Sequence, residues 1–139
     1  MATNDLRISQ SGWFQGIIQD NSSDILDYIN DHAGCTNDDI SAGTGINIDI
    51  VDEVVRILEQ DTVIVITYDE NGIQVFWGME DWVAALKSKI GAARAWVDSN
   101  NNGLASEMAA DISVAHEVAI QLAWQLDFEQ KAKVTHIAG

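Results

Sequence analysis

The sequence predicts a mainly helical α+β fold in which one three-helix unit occurs twice and small β elements complete the units. An internal repeat and a hairpin signal carry that prediction. Displaced by 68 residues, "TNDDISAGTGINIDIVDEVVRILEQDTVIVI" lies over "LASEMAADISVAHEVAIQLAWQLDFEQKAKV" without a gap. Ile46, Ile50, Val51, Val54, Val55 and Leu58 then fall on Val114, Val118, Ala119, Leu122, Ala123 and Leu126, the spacing of one buried helical stripe. Upstream, Ile25, Tyr28 and Ile29 fall on Ala93, Trp96 and Val97. Between the copies, "TVIVITY" and "IQVFW" are alternating, β-branched and aromatic, and "DENG" joins them with the Asn-Gly pair favoured in tight hairpins.

The elements follow in chain order. "DLRISQSGWFQGII" adds a strand or a helix to an N-terminal segment, residues 1–21, of uncertain order, and Trp13 and Phe14 suit it to packing. The first unit occupies residues 22–78. It opens with "SSDILDYINDHAG", a helix with Ser22 or Ser23 as N-cap and Gly34 as its stop. Thr36 and Asp39 form a capping box for a short second helix, and after "TGIN" a third helix runs from Ile48 to Gln60 ahead of the hairpin. The second unit, residues 79–139, opens with a long amphipathic helix, "MEDWVAALKSKIGAARAWVDS", and continues with helices in "ASEMAADI" and "AHEVAIQLAWQLDFE". "KAKVTHIAG" has room for one strand and not for a returning one.

This pattern resembles the winged helix-turn-helix superfamily in two tandem copies, the second with a truncated wing. The short helix, "TGI" turn, longer helix and hairpin of the first copy resemble the general bacterial and archaeal regulator type. Residues 102–124 of the second are similar to a family of small winged-helix domains of unknown function. The resemblance covers residues 22–137 and rests on core positions and turns. It implies a third helix that enters the DNA major groove.

Charge argues against that role. The chain has 22 Asp and Glu against 7 Lys and Arg, a net charge of -15, and residues 1–79 carry 14 of the acids with only Arg7 and Arg56. With the apolar stripe buried, the third helix exposes Asp49, Asp52 and Glu53, and the hairpin tip carries Asp69 and Glu70. Such a face repels phosphates. Either these acids form a solvated surface or they dock a basic protein partner, imitating nucleic acid. DNA contact, if it occurs, falls to the second copy, where Lys87, Lys89, Arg94, His116, Lys131 and Lys133 offer modest positive charge interleaved with acids. A DNA-binding regulator from a salt-rich host is thus the alternative expectation. Ile48, Ile57, Trp82 and Trp96 lie off the main stripes and either pack the copies together or form a dimer seam.

No enzyme is expected. "HEVA" lacks the second histidine of a zinc-protease helix, no phosphate-binding or nucleophile-elbow motif is present, and Cys35 lies beside Asp38 and Asp39, which oppose a thiolate. No cofactor is indicated. Asp98, Asn100 and Asn102 alternate ahead of Gly103 like the opening of a calcium loop. Its twelfth position is Ala109, however, and Glu107 comes two residues early. The other copy has a bend between helices at that place. A lone cysteine, the absence of a charged-then-apolar leader and the lack of a long apolar run lead us to expect a cytoplasmic protein with no membrane association.

Overall fold

The structure is a computed structural model and describes residues 12–129 and 131–135. The described residues are helix-rich, with a small two-stranded antiparallel sheet, an order of elements compatible with a winged helix. Helices α1 (Gly12–Asp31), α2 (Asn37–Thr44) and α3 (Ile48–Gln60) precede strands β1 (Ile64–Tyr68) and β2 (Gln74–Gly78). Helices α4 (Met79–Ser99), α5 (Ala105–Asp111) and α6 (His116–Phe128) follow. The third helices start and end at positions displaced by the same 68 residues as the sequence repeat, and the second helices start so. Even their ends match: Val63 N–H donates to Leu58 O at 3.2 Å, and Lys131 N–H donates to Leu126 O at 2.8 Å.

The helix expected to start at Ser22 or Ser23 begins at Gly12 instead. Ser22 is inside α1 and its Oγ donates to Ile18 O at 2.6 Å, so the hydroxyl closes on the preceding turn and caps nothing. Ile18, Ile25 and Ile29 are buried on one face, and their burial outweighs the local start signal. Trp13 and Phe14 fall within this helix, whereas residues 1–11 and His136 lie outside the described residues. The capping box of α2 is present: Asp39 N–H donates to Thr36 Oγ1 and Thr36 N–H to Asp39 Oδ2, both at 3.1 Å.

The expected strand of a second, truncated wing is absent among the described residues. Residues 131–135 form no strand: Lys131 and Ala132 donate to Leu126 O, and Val134 N–H donates to Asp127 Oδ2 at 3.2 Å. With no strand opposite, these backbone donors are satisfied by α6.

Burial divides into two cores. The first gathers Ile25, Ile29, Ile40, Val51, Val54 and Leu58 under α1, α2 and α3, and the second gathers Ala93, Met108, Val118, Ala119, Leu122 and Leu126 under α4, α5 and α6. The hairpin stands between them. Ile64, Ile66 and Phe76 belong to the first core, while Val65 and Trp77, on the opposite face, pack against the second. The strands read as near-continuous apolar runs because both faces are covered. β2 passes into α4 without a linker, and Met79 N–H donates to Val63 O at 2.9 Å.

Candidate functional site

Burial of Val51, Val54, Val55 and Leu58 fixes the rotation of α3 and turns Asp49, Asp52 and Arg56 outward, all exposed. Arg56 pairs with Glu53 one turn away, so the cation of this face is matched within the helix. Asp52 accepts from Asn37 Nδ2 at 2.6 Å, joining α3 to α2. At the hairpin tip Asp69 is half-buried and structural, its Oδ1 accepting from Asn71 N and Ile73 N at 2.9 and 3.0 Å. Glu70 beside it is exposed. The five expected acids thus divide: Asp52, Glu53 and Asp69 take part in hydrogen bonds within the unit, and Asp49 on α3 and Glu70 in the hairpin turn are exposed.

The expected basic residues divide as well. Lys89 donates to Ile112 O at 2.9 Å and closes the end of α5, and Arg94 pairs with Glu129 at 3.1 Å. Glu129 is held below its usual range by hydrogen bonds from Gln125 and then Arg94. Lys87 is exposed on α4. The remaining three, His116, Lys131 and Lys133, converge on one groove between α6, the α4–α5 bend and residues 131–135. The groove holds about 700 Å³. Ile120, Trp124 and Leu104 form its apolar wall, exposed by 38%, 40% and 44%.

That wall escaped the sequence reading. Ile120, Trp124 and Phe128 recur every fourth residue on the side of α6 away from the stripe matched to α3, and this period was its only trace. Helix α6 carries no lysine or arginine. Of the residues expected at an interface, Ile57 packs on the first core, and Ile48 is half-buried at the start of α3. Trp82 is buried and meets Trp77 edge-on, with centroids 5.4 Å apart, at the junction of hairpin and α4. Trp96 packs with the second core, its Nε1 donating to Asp111 Oδ2 at 2.7 Å.

The calcium-like stretch is a bend. Asn100 Nδ2 donates to Trp96 O, Asn102 takes a positive φ of 65°, and Glu107 Oε1 accepts from Leu104 N at 2.8 Å at the start of α5. Its polar groups close two helices and turn the chain. Among the described residues no group of three His, Cys, Asp or Glu could hold a metal ion. Burial, with Asp39 adding to it, pushes the Cys35 thiol up to about 11, so it stays protonated near neutral pH. No described helix is long and apolar enough to cross a membrane. No protein family, curated protein or solved structure matches the chain.

Proposed function

We propose that this chain is a non-enzymatic protein of two tandem winged-helix units that acts by protein–protein contact in the cytoplasm. Its acidic first unit docks on, or blocks, a basic surface of a partner such as a nucleic-acid-binding protein. The observation that carries this reading is the outward face of α3, where Asp49 and Asp52 are exposed and the only cation, Arg56, is neutralised by Glu53. A duplex approaching that face meets repulsion, and a basic protein meets complementary charge that speeds encounter. Two further observations weigh against DNA reading. The hairpin has both faces occupied by the two cores, and α6 offers a duplex no lysine or arginine.

The test reverses the charge of that face. Immobilised wild-type chain should retain a basic protein from its source cells, released by salt and by competing duplex DNA. Asp49→Lys with Asp52→Lys should weaken capture of that purified partner by about tenfold or more. Equal capture by the variant, or recovery of no basic protein, would sink the proposal. Tight, salt-sensitive binding of duplex DNA by the wild type would replace it with the regulator reading, through the second unit or a dimer.

A further inference from the structure

We propose that the groove beside α6 binds a small amphipathic anion, a carboxylate or phosphate carried on an apolar body. Its volume, about 700 Å³, is that of a site for a small organic ligand. Its chemistry is the reverse of the chain's. Among the described residues lining it there is no Asp or Glu, in a protein with 22 of them, yet Lys131, Lys133 and His116 all face it. Neither lysine is in a salt bridge among the described residues, unlike Arg56 and Arg94, although the charge of Lys131 also acts on Glu129.

Two details give the anion a place. His116 lines the groove, and its Nδ1 is buried without a hydrogen-bond partner, a costly state. His116 is also the first residue of α6, whose N-cap, Ala115, supplies no side-chain acceptor. In the first copy the matching helix is capped by Asn47, whose Oδ1 accepts from Asp49 N at 2.8 Å. The first turn of α6 therefore keeps donors that favour negative charge. The nearby buried Glu117 is turned away, its Oε2 accepting from Trp77 Nε1 at 3.1 Å. The apolar body would lie on Ile120, Trp124 and Leu104, large side chains left open to water. A compact ligand fits better than a protein surface because one helix, one bend and one short segment enclose the groove.

The probes are decanoate, decyl phosphate and the uncharged decanol, titrated against the intact chain at low salt with tryptophan fluorescence as the readout. Saturable binding of decanoate or decyl phosphate is expected, with decanol weaker by about tenfold or more. Lys131→Gln with Lys133→Gln should raise the dissociation constant of the anions by a similar factor and leave the circular dichroism spectrum unchanged. Ile120→Glu should abolish binding while keeping both lysines. Decanol binding as tightly as decanoate, the lysine variant binding normally, or no saturable binding of either anion overturns the proposal. So does a peptide of alternating Glu and Leu that binds through these lysines when neither anion does.

Discussion

Gly103 shows how a residue that resembles part of a metal site can instead be fixed by packing. A Cβ built there would lie 2.3 Å from Trp96 Cη2. The ring cannot swing aside freely, because its Nε1 is bonded to Asp111 Oδ2 at 2.7 Å. Gly103→Ala should therefore lower stability by about 1–3 kcal/mol, the usual cost of overpacking. Gly91→Ala provides a control of opposite sign. Gly91 is inside α4 and nothing lies within 4 Å of its added methyl, so alanine should stabilise by about 0.5–1 kcal/mol through helix propensity. Urea melts of both variants check the pair, and destabilisation by both would remove the packing explanation. The polar spacing of "DSNNNG" was legible as a turn, but the tryptophan over its glycine was not. Contacts across a bend leave no periodic trace in the chain.

At the scale of elements, helices with a complete apolar stripe could be read to the residue. Both α3 and α4 match their expected spans: α3 buries Val51, Val54, Val55 and Leu58 turn after turn, and α4, which fully buries only Trp82 and Ala93, keeps half-buried Leu86, Ile90 and Val97 on the same stripe. The start of α1 could not, because Ser22 and Ser23 have the chemistry of a cap while the isoleucines on either side keep the helix going. Among the described residues the strand expected after α6 does not form, for a different reason: a strand needs a neighbour, and apolar composition supplies none. The N-terminus of α6 permits a direct prediction. Ala115 holds the extended backbone of an N-cap, φ −63° and ψ 151°, without a side-chain acceptor, whereas the equivalent Asn47 caps α3. Ala115→Ser should raise stability by about 0.5–1 kcal/mol, measured as a higher denaturation midpoint at unchanged slope. An unchanged or lower midpoint would mean that water already satisfies the first turn as well as a hydroxyl does.

For the whole molecule, the hairpin decides whether its two cores behave as one. Its strands give Ile64, Ile66 and Phe76 to one core and Val65 and Trp77 to the other, so neither unit can open without uncovering a strand face. A second tie fixes the wall to the far unit. Glu117, buried at the start of α6, accepts from Trp77 Nε1 and lies against the bend at Gly34, where a methyl would meet its Oε2 at 3.5 Å. That bend is held to the sheet by Gly34 N–H to Phe76 O and Phe76 N–H to Cys35 O, at 2.9 and 2.8 Å. The wild type should thus unfold in one transition, with far-ultraviolet circular dichroism and tryptophan fluorescence coincident. Glu117→Leu leaves the indole donor unpaired in a half-buried place and should cost about 1–3 kcal/mol. Glu117→Gln keeps an acceptor oxygen and should recover most of that loss, which separates the hydrogen bond from the effect of side-chain size. In Glu117→Leu the fluorescence transition, reporting mainly on Trp77, Trp82, Trp96 and Trp124 at the second core and its junction, should precede the helix signal. Separate transitions already present in the wild type would show instead that the shared hairpin does not couple the two cores.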